Sequence, residues 1–563
     1  MKKLIGALFL FAAVAIAGQE GPVTFDVLIR GGQIIDGTGR ARFAGDVAVL
    51  NGKIVAIGPV GSAGARRVID AKGMVVTPGF IDLHTHSEVP VLHYGDAQSQ
   101  IRQGVTLALL GEGRSVGPML TEAAISEHKK DTLTYKLPPP DWKSTTDYFD
   151  RLRKAGVSMN VATYFGYGQL RASVLGDETR AATPAELEKM KELARAEMLQ
   201  GAWGLVSAYQ GGGYEYPNEI IELARIAKEA GGNYYSHVGS EGNQLVEEIQ
   251  KAIRVAEETG VGVNIFHLKI RGKRLWDKLD EPLALIDAAR AKGLRITANQ
   301  YPYTAMQHPV GNVFPSWIKK GQPEDLVARL KDPVLVKKLK ADEEFRAYVE
   351  EHGGWENIVA SVIRSKKNKK YEGKSIAQIA KERGFEDPTD ACIQLHIEED
   401  GWIHGVHFNM SEENVQRIMK LPYVAIASDG RALATTGNLA VGRPHPRSFG
   451  TNPRVLGKYV RDKVLTLEDA VRKMSGLPAE IMGLRDRGTL EVGKVADLVV
   501  VQPNVVADKA TFEEPFQYPT GIPYVLVNGV VVVDGGRHTG KRPGGIVLGP
   551  GYKAAVDGTR TNR

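Results

Sequence analysis

Two histidines at alternate positions point to metal chemistry. His84 and His86 lie near the end of the run from Val75 to Glu88, which reads Val-Val-Thr-Pro-Gly-Phe-Ile-Asp-Leu-His-Thr-His-Ser-Glu. Side chains two residues apart on a β-strand point to the same face, so both imidazoles would reach one point at the strand's end. A strand that merely ends in polar residues is the alternative. A metal site therefore needs further ligands from elsewhere in the chain.

The middle of the chain supplies strands that could position such ligands. Residues 77–485 alternate short apolar runs with amphipathic helical stretches, which is typical of a parallel (β/α)8 barrel. We predict eight strands: Phe80 to His84, Thr106 to Gly111, Asn160 to Phe165, Gly204 to Ser207, Asn233 to His237, Gly262 to His267, Arg295 to Gln300 and Val424 to Ser428. Active sites of this fold lie at the carboxyl ends of the strands.

Polar side chains stand at several of those predicted strand ends. Besides His84 and His86, they are Glu112 after strand two, His237 at the end of strand five, His267 at the end of strand six and Asp429 after strand eight. Imidazole and carboxylate ligands together suit zinc, and thiolate is missing from this set. The pattern predicts a hydrolytic centre that holds one or two zinc ions.

The stretch from Val75 to Glu88 resembles the first barrel strand of the amidohydrolase superfamily, the metal-dependent hydrolases built on a TIM barrel. Further motifs narrow the resemblance to the N-acyl-D-amino-acid deacylase (D-aminoacylase) family. They are Tyr301-Pro-Tyr-Thr-Ala305, His445-Pro-Arg-Ser-Phe-Gly450 with Val455-Leu-Gly-Lys-Tyr459, and Ser475-Gly-Leu-Pro-Ala-Glu480, together with the His237 and His267 motifs. The similarity runs from about residue 24 to residue 548.

The resemblance assigns roles to individual residues. It implies that His237 and His267 are the main zinc ligands, that His84 and His86 serve a second metal position, and that Asp429 is the catalytic acid/base. The family commonly has a cysteine ligand after strand two, where this chain offers Glu112. A carboxylate can bridge two ions, so this departure favours a binuclear centre. Related enzymes use a carbamylated lysine on strand four, but no lysine occurs between Lys191 and Lys228.

The same resemblance suggests how a substrate carboxylate is held. It implies that Lys269 and Arg447 clamp the carboxylate of the amino-acid product, and arginine suits a carboxylate bidentately. Tyr301 or Tyr303 could stabilise the oxyanion or touch the carboxylate, and the family match favours Tyr301 for the carboxylate. An ordinary surface ion pair is the alternative for Arg447. The family's strand-five motif usually has an arginine where this chain has Gly239, which leaves the exact substrate open.

Other histidines and the single cysteine have less specific interpretations. His404 and His407 have metal-like spacing, but packing or pocket lining is the preferred reading of both. We expect His93, His308 and His445 near the mouth of the barrel. Cys392 lies alone in an amphipathic stretch and is expected in a core.

The two ends of the chain differ from its middle. Both contain short β patterns with turn pairs such as Asn528-Gly529, so we expect one small domain built from both termini. The predicted organisation is a signal peptide at 1–17, a composite β-sandwich domain from 22–76 and 486–548, a catalytic barrel at 77–485 and a tail at 549–563. A charged helical insertion at 317–401 is either a lid over the barrel mouth or a surface addition without a role in binding.

Export is the expected fate of the chain. Lys2 and Lys3 precede an apolar run, and Ala15-Ile16-Ala17 forms a small-residue cleavage site. We therefore expect a periplasmic or secreted protein without a membrane anchor after cleavage. The chain has a formal net charge of +6, but its basic residues form no long run. This distribution argues against nucleic acid as a partner.

The predicted function is zinc-dependent hydrolysis of N-acyl-D-amino acids to a carboxylate and a D-amino acid. The partner is thus a small molecule with a free carboxylate. An amidohydrolase acting on another linear or cyclic amide, or on a dipeptide with a D-residue, is the nearest alternative. A catalytically silent binding protein on the same scaffold is an alternative of a different class.

Overall fold

The computed structural model describes residues 24–62, 64–112, 115–207, 216–320 and 323–553. The predicted signal peptide, 1–17, and the last ten residues of the predicted tail lie outside these ranges. Within the described part of the chain, no helix combines the length and the apolar character that crossing a membrane requires.

Both ends of the chain contribute to one β-sheet. Its nine strands are β1 Phe25–Ile34, β2 Phe43–Leu50, β3 Lys53–Gly58, β4 Ala65–Asp70, β5 Val75–Pro78, β18 Leu498–Val501, β19 Tyr524–Val527, β20 Val530–Asp534 and β21 Arg537–His538. Strand β5 joins the two halves because it pairs with β1 on one side and with β18 on the other. Alternate apolar residues from both ends, among them Ile29, Val47 and Leu498, pack into a shared core.

The hairpin between β19 and β20 forms at the predicted turn. Asn528 and Gly529 both have positive φ angles, 49° and 80°. These values suit the tight turns whose twist matches that of the flanking strands. Asparagine and glycine adopt this conformation more readily than other residues, which is why the pair marked the turn in the sequence.

The predicted barrel strands are present. They are β6 Phe80–Thr85, β7 Val105–Leu110, β8 Asn160–Thr163 continued by β9 Phe165–Gly166, β10 Gly204–Ser207, β11 Asn233–Ser236, β12 Val263–Ile265, β13 Ile296–Gln300 and β17 Val424–Ile426. Their pairing is parallel throughout. Beyond β17, the His86 backbone N–H donates to the Gly430 carbonyl at 2.8 Å and links the last strand to the first.

Helices surround the barrel and follow the predicted βα order. They are α1 Glu88–His93, α2 Gln98–Ile101, α3 Glu122–Tyr135, α4 Thr145–Ala155, α5 Tyr167–Leu175, α6 Pro184–Gln200, α7 Pro217–Glu229, α8 Leu245–Thr259, α9 Asp280–Ala291, α16 Glu412–Lys420, α17 Arg447–Arg454, α18 Leu467–Met474 and α19 Gly476–Met482. The start of α6 is encoded locally. Thr183 and Glu186 form a capping box there, and Pro184 occupies the first turn.

The insertion before β17 has its own core and its own sheet. Its helices are α10 Ser316–Lys319, α11 Pro323–Leu330, α12 Pro333–Ala341, α13 Glu343–Glu351, α14 Ile376–Arg383 and α15 Pro388–Glu398. An antiparallel sheet of β14 Met306–Pro309, β16 His404–His407 and β15 Ile358–Val362 accompanies them. The sequence predicted only helices in the insertion, so this sheet was not expected. Cys392 is fully buried in the core of the insertion, as expected.

The predicted fold class is confirmed. A parallel eight-stranded barrel carries a composite β domain and an insertion rich in helices. This arrangement places the carboxyl ends of the barrel strands beneath the insertion, where a pocket of about 610 Å³ opens between them.

Candidate metal centre

The six predicted metal-site residues converge at the carboxyl end of the barrel. They form two groups of close ligand atoms, one of His84, His86, Glu112 and Asp429, the other of Glu112, His237 and His267. Within each group the ligand atoms lie within 4.8 Å of one another. Glu112 belongs to both, so the site has the layout of two adjoining metal positions joined by a carboxylate.

Glu112 presents one oxygen to each group. Its Oε2 lies 3.0 Å from His84 Nε2 and 2.7 Å from His86 Nε2. Its Oε1 contacts Nδ1 of His237. Burial alone would raise the pKa of Glu112, but the three imidazoles hold it well below its usual range. The residue is therefore a carboxylate with both oxygens committed to the site.

Asp429 stands on the other side of the first histidine pair. Its Oδ1 lies 3.0 Å from His86 Nε2 and 3.5 Å from His84 Nε2, and its Oδ2 accepts a hydrogen bond from Arg447 Nη1 at 2.6 Å. Burial would raise the pKa of Asp429, but Arg447 and His84 lower it below its usual value. Asp429 is thus ionised at neutral pH and has one oxygen directed at the metal site.

Buried side chains hold these strand ends in register. Asp82, two residues before His84 on β6, accepts hydrogen bonds from the Ser428 backbone N–H at 3.0 Å and from the Ser428 hydroxyl at 2.5 Å. The backbone N–H of Asp429 in turn donates to the His84 carbonyl at 2.8 Å. Asp429 has a φ of 48°, a left-handed conformation that is uncommon for residues other than glycine, asparagine and aspartate and is often found at active sites. Asp82 therefore fixes Asp429 against the first histidine.

His237 and His267 form the second group. His267 Nε2 lies 3.3 Å from His237 Nδ1, and the His237 side chain is 28% exposed towards the pocket. His267 also has a left-handed φ, 33°, and its backbone N–H donates to Asn299 Oδ1 at 2.8 Å. Burial and the neighbouring Lys269 lower the pKa of His267 to about 4. It is therefore a neutral imidazole, the form that binds metals.

The donor set fits zinc. His84 is fully buried, and among the described residues its Nε2 makes no hydrogen bond, although Glu112 Oε2 lies 3.0 Å away. A buried imidazole nitrogen facing a carboxylate in this way is suited to share an ion with it. The fourth barrel strand, β10, contains no lysine, in line with the exclusion of a carbamylated lysine.

Three further predicted residues form one wall of the pocket. Lys269, Tyr301 and Arg447 are buried and line it. The Lys269 Nζ lies 5.2 Å and the Arg447 guanidinium carbon 4.9 Å from the centre of the Tyr301 ring. Two cations thus flank one phenol beside Asp429. Tyr303 instead packs against His445 and lies outside the described pocket lining, so of the two tyrosines only Tyr301 reaches the site.

A glutamate of helix α8, Glu248, occupies the space beside Gly239. The Gly239 backbone N–H donates to Glu248 Oε2 at 2.9 Å, and a side chain at residue 239 would meet that carboxylate. Glu248 also lines the pocket. Where the family usually has an arginine, this chain therefore presents a backbone amide and a carboxylate.

The remaining histidines divide between pocket and packing. His308 and His404 line the pocket from the insertion, and His407 stacks on His308 with ring centres 3.9 Å apart. Neither His93 nor His445 is among the described lining residues, although the His445 ring centre lies 6.0 Å from that of Tyr301, which does line the pocket. His445 instead accepts the Arg447 backbone N–H on Nδ1 at 3.0 Å, which helps to orient that arginine.

The insertion contributes to the binding pocket. Besides His308 and His404, it supplies Lys319, His352 and Trp402 to the lining. A surface addition remote from the site would not do so. These contacts favour the interpretation of the insertion as a cap over the barrel mouth.

The sequence-based interpretation missed several residues that support the site. Glu241 lies 2.8 Å from His267 Nδ1 and contacts Lys269, and Asn299 holds the His267 backbone. Asp82 could have been found, because it alternates with His84 and His86 on one strand. Glu241 and Asn299 carried no comparable signal, since their partners are remote in sequence.

Fold and site together define a class. A parallel barrel with imidazole and carboxylate ligands at the carboxyl ends of its strands, beside an ionised aspartate, is a metal-dependent hydrolase. The chain belongs to the amidohydrolase family, whose model matches residues 67–297 and 393–533, and within it to the N-acyl-D-amino-acid deacylase (D-aminoacylase) group.

Similar proteins of known activity support that membership. The D-aminoacylase of Alcaligenes xylosoxydans xylosoxydans is 34% identical over 94% of this chain and 99% of its own length. The structure of N-acyl-D-glutamate deacylase from Bordetella bronchiseptica, with zinc and a phosphonate that mimics the tetrahedral intermediate, matches with a TM-score of 0.76. It is 31% identical and covers 93% of this chain and 100% of its own. A D-aminoacylase structure described for its binuclear metal centre matches with a TM-score of 0.76, 32% identity and the same coverage.

Proposed function

We propose that this chain hydrolyses the amide bond of N-acyl-D-amino acids, releasing a carboxylate and a D-amino acid. The observation that carries the proposal is the adjacency of two features. A metal centre joined by Glu112 lies beside a wall in which Lys269 and Arg447 flank Tyr301. A substrate that bridges these features has a hydrolysable carbonyl near one end and a free carboxylate at the other.

The metal centre would be held by five residues, His84, His86, Glu112, His237 and His267, with Asp429 at its edge. Zinc held there would supply Lewis-acid chemistry: it would lower the pKa of a water molecule to about 7 and polarise a carbonyl. Glu112 holds the two groups of imidazoles together through its two oxygens.

Asp429 is the proposed acid/base. Its Oδ1 faces the metal site, so it can accept the proton of the attacking water as the water oxygen adds to the amide carbonyl. The same carboxyl group then returns that proton to the amide nitrogen as the carbon–nitrogen bond breaks. Arg447 holds Oδ2 at 2.6 Å, which fixes the orientation of the carboxylate for both transfers.

Lys269, Tyr301 and Arg447 are the proposed substrate-binding residues. In the free protein both cations have partners within the site, because Lys269 contacts Glu241 and Arg447 bonds Asp429. Arg447 has five N–H donors and spends one on Asp429, so it can hold a substrate carboxylate at the same time. The Tyr301 ring lies between them, and burial keeps its hydroxyl protonated by raising its pKa well above the usual value.

A chiral panel of N-acetyl amino acids tests the substrate. We expect zinc-dependent turnover of D-enantiomers, no comparable turnover of L-enantiomers, and loss of activity when the α-carboxylate is replaced by an amide. Activity confined to uncharged amides or to dipeptides with a D-residue would replace the proposed substrate class. Binding without turnover of any amide by the zinc-loaded protein would indicate a binding protein.

The acid/base is tested by Asp429→Asn. We expect kcat to fall by about 10²- to 10⁴-fold, the usual contribution of a positioned acid/base. Asp508→Asn is the matched control, because Asp508 is also ion-paired to an arginine, Arg454, but lies outside the described pocket lining. Unchanged turnover in Asp429→Asn would contradict the mechanism.

We also propose that the protein is exported. The basic start, apolar run and Ala15-Ile16-Ala17 site support this, although these residues lie outside those that the structure describes. Expression of the full chain in a Gram-negative host should yield a periplasmic or secreted protein whose first residue is Gly18. A cytosolic protein that retains Met1 would contradict it.

A further inference from the structure

Glu241 is a buried carboxylate within the pocket wall that has no role in the mechanism above. It lies four residues after His237, is 4% exposed and lines the pocket. Its Oε1 lies 2.8 Å from His267 Nδ1 and also contacts the Lys269 ammonium. Its Oε2 is 3.8 Å from the nearest Arg271 nitrogen.

The tautomer of His267 makes this contact important. His267 Nε2 faces His237 and the Glu112 side of the centre, at 3.3 Å from His237 Nδ1. A neutral imidazole that offers Nε2 to a metal must carry its hydrogen on Nδ1. That hydrogen needs an acceptor, since a buried N–H without one is costly.

Among the described residues, Lys269 and Glu241 lie within reach of His267 Nδ1. The Lys269 Nζ is 2.8 Å away, but an ammonium has three donors and no acceptor. Glu241 Oε1 is also 2.8 Å away and is the one acceptor of the two; within the described part of the chain it makes no hydrogen bond, so it is available to the Nδ1 hydrogen.

We propose that Glu241 is a positioning residue for the metal centre: it accepts the Nδ1 hydrogen of His267, directs Nε2 towards the metal, and anchors Lys269 with the same oxygen. A metal-bound histidine commonly donates its other N–H to a carboxylate in this way. The contacts of Glu241 are with a metal ligand, so its effect on zinc binding does not depend on which substrate is hydrolysed. Only its importance for turnover rests on the proposed zinc-dependent hydrolysis.

Zinc affinity, measured by chelator competition without substrate, is the primary test. Glu241→Leu, similar in size but without an acceptor, should weaken zinc binding by about 10- to 100-fold, the usual effect of losing such a partner. Glu241→Gln keeps a carbonyl oxygen and should retain most of the affinity. Lys269→Met removes a cation rather than the acceptor, so it should not weaken zinc binding, and it should raise KM for carboxylate-bearing substrates.

Controls separate this role from simple structural damage. Glu219 is likewise buried and ion-paired, to Arg171, but lies outside the described pocket lining, so Glu219→Leu should not alter zinc affinity. Glu241→Ala opens a gap beside the pocket, and added formate should restore its zinc affinity by supplying the missing acceptor. Circular dichroism establishes that each variant is folded.

Two results would overturn the proposal. One is a folded Glu241→Leu or Glu241→Ala protein that binds zinc as tightly as the wild type. The other is a loss of zinc affinity in Lys269→Met equal to that in the Glu241 variants. Because these measurements use zinc alone, they remain decisive even if N-acyl-D-amino acids prove not to be the substrate.

Discussion

Replacement of Glu112 is the most informative perturbation of the metal centre. Its two oxygens serve different groups, Oε2 towards His84 and His86 and Oε1 towards His237. Glutamine at this position has the same shape but only one oxygen, and its amide NH₂ cannot ligate a metal. We therefore expect Glu112→Gln to support at most one of the two metal positions, and Glu112→Ala to weaken both.

The size of the effect follows from the contacts. Loss of a partner that merely orients a ligand costs about 10- to 100-fold in metal affinity. Glu112 is itself within ligand distance of both groups, so its removal should cost at least about 100-fold, or about 2.7 kcal/mol at 1.36 kcal/mol per tenfold change. The histidines left without the carboxylate can remain neutral, so the fold should tolerate the change.

Elemental analysis of zinc per chain, combined with chelator titration, measures this effect. The two groups predict two ions in the saturated wild type and one in Glu112→Gln. Glu197→Gln is the matched control, because Glu197 is a buried glutamate bonded to Thr145 and lies outside the described pocket lining. A Glu112→Ala protein with wild-type zinc content and affinity would refute the reasoning that Glu112 is a ligand.

Three other outcomes are expected. Removal of metal with EDTA should abolish hydrolysis and lower thermal stability, and zinc should restore both; activity that survives complete metal removal would contradict the centre. Arg447→Met should raise KM for carboxylate substrates by about 10- to 150-fold, corresponding to the loss of about 1.5–3 kcal/mol from a charged hydrogen bond, with no such rise for a neutral amide substrate. Burial raises the pKa of Glu197 from 4.5 to about 7, although its hydrogen bond from Thr145 acts in the opposite direction. Between these pH values the folded chain therefore binds more protons at Glu197 than the unfolded chain does. The free energy of unfolding should therefore fall by up to about 3 kcal/mol as pH rises from 4.5 to 7, and Glu197→Gln should remove that part of the decrease in chemical denaturation.

The barrel could be predicted from sequence because its signals are local. Each strand is a short apolar run, and the polar residue that follows it belongs to the site since the ends of parallel strands meet at one edge. His84 and His86 needed only the alternation of a strand to share a face. The capping box at Thr183 and the turn at Asn528 were likewise encoded within a few residues.

The insertion was only partly predictable. Its helices follow a local hydrophobic period, but its sheet pairs β16 with residues about fifty positions away in β15 and about a hundred positions away in β14, such as Met306 with His407. Such pairing depends on how the helices between the strands fold, which no short stretch of sequence specifies. His404 and His407 have metal-like spacing, yet the strand they share places one in the pocket and stacks the other on His308.

The sequence by itself determined the types of ligand, the barrel that carries them and the absence of a thiolate. Tertiary structure decided how those residues share the centre. Closure of the barrel brings His86 within 3.0 Å of Asp429, 343 residues later, and directs one oxygen of Glu112 to each group of histidines. It also places Tyr301 rather than Tyr303 in the pocket wall and brings Glu241 Oε1 to 2.8 Å from His267 Nδ1. The reason is physical: residue type and local period fix an element and its face, whereas distances between strand ends exist only once the barrel has closed.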